Sequence, residues 1–308
     1  VTNLTIESIA LIAMYDFPDR WNTGLIQQLN EALNSSELKT VFLGARIVRR
    51  LAKLYAYRTS ARGDRGPWEA IVQATFPRLA AIFKQCLGAN TLDAANMMRI
   101  ILKAYWSAIS YNLEGFLAQP DVVLLWVDMV HTLLGKPLPE ASEGGEPAGQ
   151  PTDPHERYSW PWWKCKKWCA CILDRFMNRY GAPHFVPQDN PSYAAAEFFH
   201  NNLMARLVPT VVGTVALRKN GRFCTDRVYV HCLSFIKICL EFGACWKQLS
   251  AAKDFLLQDV ILATLKLNAE DITLWKEDSD EFIRTYYGAL DDPFNPRVEV
   301  KNLLFYLT

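Results

Sequence analysis

The sequence has almost no net charge. Its 33 Lys and Arg stand against 32 Asp and Glu, a balance of +1 over 308 residues, so the whole molecule has no electrostatic reason to coat nucleic acid or an anionic bilayer. It also lacks a long apolar run. The longest, Val122 to Leu134, is interrupted by Asp128 and His131, whereas a membrane span needs about 20 apolar residues, so no membrane insertion is expected. The first residues, Val1 to Glu7, carry no basic segment of the secretory kind. The sequons at Asn3 and Asn34 then read as unmodified, with Asn34, Ser35 and Ser36 serving as turn or cap residues.

Catalytic signatures are missing as well. There is no G-x-S-x-G elbow, no P-loop and no dinucleotide-binding glycine fingerprint, so the chain reads as a non-enzyme with no catalytic or cofactor-binding residue. The paired carboxylates Asp291 and Asp292 precede Pro293 and read as a turn. Cys165, Cys169 and Cys171 with His184 invite a zinc reading, but on a helix Cys165 and Cys169 share a face that Cys171 does not. The stripe Cys165, Cys169, Ile172, Leu173, Phe176, Tyr180 reads as core, and Cys224, Cys232, Cys239 and Cys245 match no ligand spacing. No metal site is assigned, and all eight cysteines, Cys86 included, read as reduced thiols.

What is present is apolar surface arranged for helices. Half of the residues are hydrophobic and 12% aromatic, enough for a continuous core. Stripes such as Ile47, Leu51, Leu54, Tyr55 and Ile71, Ala74, Leu79, Ile82, Phe83 recur at helical spacing, and no strand alternation competes with them. Pro, Gly, Asn and Asp divide the chain into antiparallel helical pairs at about 2–33, 37–88, 91–135, 160–218 and 223–268, with an incomplete sixth from 279. Pairs that cannot bury their own apolar faces must stack on their neighbours. The expected fold is therefore an all-α solenoid of HEAT-type hairpins, a single body over 1–308.

Residues 136–159 break the rhythm with Pro, Gly, Glu, Ser and Asp, and are expected to form a disordered acidic loop whose Glu140, Glu143, Glu146, Asp153 and Glu156 are candidate contacts for a basic partner. Two basic groups stand out as candidate partner contacts. Arg46, Arg49, Arg50 and Lys53 flank one apolar stripe. Lys164, Lys166 and Lys167 interleave with Trp160, Trp162, Trp163 and Trp168, and helix geometry collects Lys164, Lys167, Asp174 and Asn178 on one polar face while most of the tryptophans pack against adjacent helices. Direct nucleic-acid binding is not expected.

Two segments carry a resemblance. Asp16-Phe17-Pro18-Asp19-Arg20-Trp21 resembles a D-F/Y-P-x-x-W turn of importins and a related exporter, in which Pro18 would enter the following helix and Trp21 would bury across the hairpin. Pro161-Trp162-Trp163-Lys164-Cys165-Lys166-Lys167-Trp168, then Asn178-Arg179-Tyr180-Gly181, resembles a signature of the importin-7/importin-8 branch of the karyopherin-β family. Trp246-Lys247, Leu274 to Asp278 and Glu281 to Arg284 follow in the same order, whereas Ser279 and the stretch Thr285 to Pro296 depart from that pattern. The resemblance implies a nuclear import receptor that shuttles between cytoplasm and nucleus. Its implied partners are basic protein cargo, phenylalanine-glycine nucleoporins and the GTP form of the Ran GTPase, which releases cargo. A HEAT-repeat scaffold and an exporter of the same superfamily are the alternatives. The chain begins without Met and ends in the apolar run Leu303, Leu304, Phe305, Tyr306, so it reads as an internal fragment with only weak Ran binding expected of it.

Overall fold

The computed structural model describes residues 3–21, 24–56, 66–110, 113–139, 149–267, 269–287 and 294–307. The chain is an all-α solenoid, and among the described residues no strand occurs. In order, the helices are α1 (Asn3–Asp16), α2 (Gly24–Leu33), α3 (Leu38–Tyr55), α4 (Gly66–Leu87), α5 (Leu92–Ala108), α6 (Pro120–Gly135), α7 (Pro154–Ser159), α8 (Pro161–Tyr180), α9 (Tyr193–Asn202), α10 (Met204–Lys219), α11 (Asp226–Cys239) and α12 (Gly243–Leu249). A run from Ser250 to Leu265 then strings together a 3-10 turn, α13 (Lys253–Phe255), a widened π turn (Leu256–Leu262) and α14 (Ala263–Leu265). Helices α15 (Ala269–Glu277), α16 (Ser279–Tyr287) and α17 (Pro296–Leu307) follow.

These helices form two layers. In the first, α1, α3, α5, α8, α11 and α17 each pack on the next. In the second, α2, α4, α6, α10 and α12 do the same, with α9 wedged between α8, α10 and α6. The apolar stripes cause the layering. Helix α3 buries Val41, Ala45, Val48, Leu51, Ala52 and Tyr55, and Gly44 lets α2 approach so closely that an added Cβ would lie 3.1 Å from that of Ala32. Between the layers runs one apolar core from Ile6 to Leu303, filled by Trp68, Phe76, Phe83, Tyr105, Trp126, Trp162, Phe176 and Phe235.

Local chemistry starts and stops the helices. Thr91 and Thr225 cap α5 and α11, accepting from Ala94 N at 3.2 Å and Val228 N at 3.4 Å. Gly115 has φ +58, and the Glu69 carboxylate lies where a side chain would go, accepting from Phe116 N at 2.6 Å. Two lysines close carboxyl ends. Lys136 Nζ donates to Leu87 O at 2.6 Å and Ala89 O at 3.2 Å, behind α4, while Lys166 Nζ donates to Leu134 O at 2.6 Å and Lys136 O at 2.7 Å, behind α6.

Three details differ from the expectations. The Phe17–Trp21 stretch is a turn in which Arg20 N and Trp21 N both donate to Asp16 O, and helix α2 begins only at Gly24, so Pro18 lies in the turn rather than in that helix. Trp21 is partly buried against the core. Inside the span 136–159, Pro154–Ser159 is helical, because Asp153 accepts from His155 N at 2.9 Å and Pro154 takes the first helical position. Near the carboxyl end, α15 and α16 pack on each other on either side of Asp278, and α17 continues the first layer against α11. The buried Asp271 carboxylate, paired with Arg297, ties α15 to α17. At the second sequon, Asn34 Nδ2 donates to Asn30 O at 2.8 Å and Ser35 Oγ accepts from Glu37 N, the turn-and-cap role expected of them.

Candidate functional site

The first layer brings together basic residues that lie far apart in sequence. Helix α3 presents Arg46, Arg49 and Lys53 at helical spacing, α5 presents Arg99 and Lys103, α8 presents Lys164 and Lys167, and α11 presents Arg227. Because α3, α5, α8 and α11 are successive neighbours, these side chains form one cationic strip across four helices. Electrostatics trace its continuity. Burial lowers the Arg49 pKa, and Arg99, Arg46 and Arg50 lower it further. Lys103 is pushed down to about 8, first by burial and then by Arg49, Arg99, Lys167 and Lys164. Lys167 is lowered by burial, then by Arg227. Among the described residues none of Arg49, Arg99, Lys103, Lys164, Lys167 or Arg227 takes part in an ion pair.

Two aromatic rings hold the strip in shape. Trp168 lies 5.8 Å from Trp106, with Lys167 Nζ 4.2 Å and Lys103 Nζ 5.5 Å from its centroid. The Arg175 guanidinium covers the Trp106 ring at 3.3 Å and donates to Ser110 O at 3.1 Å.

The expected contact residues divide by what holds them. Arg46 is hydrogen-bonded to Asn3 and Arg50 is paired with Glu7, so both tie α3 to α1, whereas Arg49 is half-buried and Lys53 exposed. Lys164 and Lys167 belong to the strip. Asp174 and Asn178 do not extend it. Asp174 accepts from Asn178 Nδ2 at 2.7 Å and from His231 Nδ1 at 2.8 Å, bracing α8 on α11. Burial opposes protonation of His231, but hydrogen bonds with Asp174 and Cys171 outweigh it, and the pKa is raised to about 9. Lys166, read with the basic cluster, is buried as the cap on α6, and its pKa is pushed down to about 8 by that burial. Trp160, Trp162 and Trp163 are buried, and Trp168 is half-buried.

In the acidic segment, Glu140, Glu143 and Glu146 lie outside the described residues, as do Asp291 and Asp292. Asp153 caps α7, and Glu156 lies exposed in its first turn. The ends of the segment meet through Gln150 N and Pro139 O at 3.3 Å. Gln150 also accepts from Trp163 Nε1, over a cavity of about 650 Å³ lined by Lys136, Thr210, Arg222 and Phe223. Cys165 and Cys169 are fully buried, with Cys165 Sγ donating to Ala95 O at 3.0 Å and its pKa pushed up to about 12 by burial.

Sequence reading missed Arg99, Lys103 and Arg227. The signal was present, since Arg99 and Lys103 repeat on α5 the four-residue spacing of Arg49 and Lys53 on α3. It becomes legible only once alternate helices are known to be neighbours.

No family model matches the chain. It is 28% identical over 293 residues to an importin beta-like SAD2 homolog of Arabidopsis thaliana, covering 94% of this chain and 27% of that protein. It is 26% identical over 298 residues to importin-8 of Danio rerio, covering 95% of this chain and 28% of the relative. A probable importin-7 homolog of Dictyostelium discoideum is 21% identical over 309 residues, covering 99% of this chain and 28% of its own length. The chain thus spans 27 to 28% of the length of these curated relatives. Its fold is similar to that of the exportin Cse1 in its cargo-free, cytoplasmic state, with a TM-score of 0.68 and 17% identity, over 100% of this chain and 32% of that one. Along nearly the whole sequence the chain is thus similar to importin-8 and to importin-7 and importin beta-like homologs, and in fold its helical solenoid is similar to that of an exportin.

Proposed function

We propose that this chain is a stretch of a nuclear import receptor, which binds protein cargo and the phenylalanine-glycine repeats of nucleoporins and gives up its cargo when the GTP form of Ran binds. The observation that carries the reading is the ordered likeness to importin-8 and a probable importin-7 homolog over 95 to 99% of the chain. The architecture supports it. Stacked hairpins offer long walls for many weak contacts and change curvature through small shifts at each interface. The chain acts by binding rather than by catalysis, and it shuttles between cytoplasm and nucleus.

The acidic segment, Glu140 to Glu156, is proposed to hold basic cargo or to sense Ran. Its described end lies beside α8, where Gln150 accepts from Trp163 Nε1. Deleting residues 137–157 from the intact polypeptide weakens binding of basic cargo or of Ran most at low salt, where screening is least. An unchanged affinity for both refutes the role of the segment.

Cargo release by Ran tests the transport reading itself. Cargo is held by the intact polypeptide on beads and challenged with Ran loaded with GTP or GDP. Release by the GTP form alone is the expected result. Tighter cargo binding in the presence of Ran-GTP assigns the opposite direction of transport, as in an exporter. Indifference to both forms leaves a HEAT-repeat scaffold.

A further inference from the structure

We infer that the cationic strip across α3, α5, α8 and α11 is a docking surface for an extended acidic polypeptide segment, rich in Asp and Glu and about nine residues long. This stands apart from the transport reading and concerns a surface of the opposite charge from the one proposed for basic cargo.

Crowding is the first argument. Arg49, Arg99, Lys103, Lys164, Lys167 and Arg227 lie on four successive helices of one layer and have no carboxylate partner among the described residues. The chain as a whole is nearly neutral at +1, so this concentration is local. Neighbouring acids are committed elsewhere: Glu7 to Arg50, Asp174 to His231, and Asp226 to Arg218. Asp93 and Glu37 stand at one edge, in the cleft that also contains Arg49 and Arg99. Mutual repulsion among the six cations works against folding, and carboxylates from a partner remove that cost.

Dimensions set the length of the partner. Helices packed side by side lie about 10 Å apart, so three spacings span about 30 Å, which an extended peptide at roughly 3.3 Å per residue covers with about nine residues.

Aromatic geometry favours polypeptide over nucleic acid. Binding single-stranded nucleic acid needs open ring faces on which bases stack. Here Lys167 and Lys103 lie over the Trp168 ring and the Arg175 guanidinium over the Trp106 ring, so the aromatics position the cations instead. The grooves between the helices offer half-buried charges to side-chain carboxylates. At the α8–α11 end a cleft lined by Lys164, Lys167, Arg227 and Phe294 ends the strip.

The test measures fluorescence anisotropy of a labelled ten-residue peptide of alternating Glu and Ser with the 308-residue chain, alongside a Lys and Ser peptide and a ten-nucleotide single-stranded RNA. Binding of the Glu peptide, at least tenfold tighter than that of either other probe and weakening as salt rises from 50 to 300 mM, is expected. The triple variant Arg99→Gln, Lys103→Gln, Lys167→Gln lowers affinity at least tenfold. Lys84→Glu, on the exposed face of α4 in the second layer, leaves it within twofold. Circular dichroism and the melting temperature establish that each variant is folded, and the single variant Lys164→Glu gives an independent reading if the triple variant fails to fold. Absence of Glu-peptide binding, equal binding by the variants, or preference for the RNA overturns the proposal.

Discussion

Truncating Trp162 to Ala removes a side chain whose relative exposure is 0%, set where α6, α8 and the end of α4 meet beneath Lys136, whose Nζ lies 5.1 Å from the ring. A buried Trp removes about 200 Å² from water, worth roughly 5 kcal/mol at about 25 cal/mol per Å². The compactness of real unfolded chains lowers that figure by some tenths. The Trp162 Nε1 donor has no hydrogen-bond partner among the described residues, so deleting it returns about 1 kcal/mol. A loss of about 3 kcal/mol is left. Trp168, half-buried, gives up about half of that area and two cation–π contacts of about 0.5 to 1 kcal/mol each, offset by about 1 kcal/mol for its own Nε1, also unpaired among the described residues, so Trp168→Ala costs about 2 kcal/mol. Guanidinium unfolding of wild type and both variants, followed by far-ultraviolet circular dichroism and by amide exchange in α6 and α8, gives the comparison. Solenoids unfold unit by unit, so the exchange data localise the damage. A loss for Trp168→Ala clearly larger than that for Trp162→Ala refutes the orientation of α8 on which the cationic strip depends.

Two pH dependences of opposite sign follow from the layers. His231 has its folded pKa raised from the usual 6.5 to about 9, so the Asp174 contact contributes fully below pH 6.5 and is lost as pH rises through 9. The stability gap between wild type and His231→Gln, about 1 to 3 kcal/mol at pH 6, should close by pH 9.5 in denaturant titrations. Lys166 has its folded pKa lowered from 10.5 to about 8, so the folded state binds fewer protons between those values and its contribution rises with pH there. Against Lys166→Met, the wild type should therefore gain stability from pH 8 to pH 10, and a flat difference would refute the burial of this ammonium. Asp271→Ala leaves the Arg297 guanidinium without its buried partner and should destabilise α15 and α17 by about 3 kcal/mol, seen as faster amide exchange in both helices.

The parts legible in sequence were those set by one helix at a time. The period of α3 and the stripe from Cys165 to Tyr180 on α8 announced their buried faces, because a helix shows its apolar side wherever it packs. Relations between helices were hidden. Lys166 reads as part of a basic cluster with Lys164 and Lys167 but not of their polar face, and it lies four residues past Trp162 and three before Cys169, inside the buried sector. Its burial is tolerable only because the carboxyl end of α6 offers two carbonyls, which no local pattern reveals. Helix α7 was absorbed into an acidic loop although Asp153-Pro154 is a start signal, because polar composition outweighed the cap. The strip was half visible, as Arg46, Arg49, Lys53, Lys164 and Lys167. Its middle and far end, Arg99, Lys103 and Arg227, required the stacking order of alternate helices.

Recognition of nucleoporin repeats distinguishes a transport receptor from any other helical solenoid. The direct measurement is retention of the 308-residue chain on immobilised phenylalanine-glycine repeats, competed by free repeats and compared with repeats in which each Phe is replaced by Ser. Saturable retention that disappears with the Ser repeats is the predicted result. Equal passage through both resins would contradict the proposed transport role and leave the solenoid a scaffold.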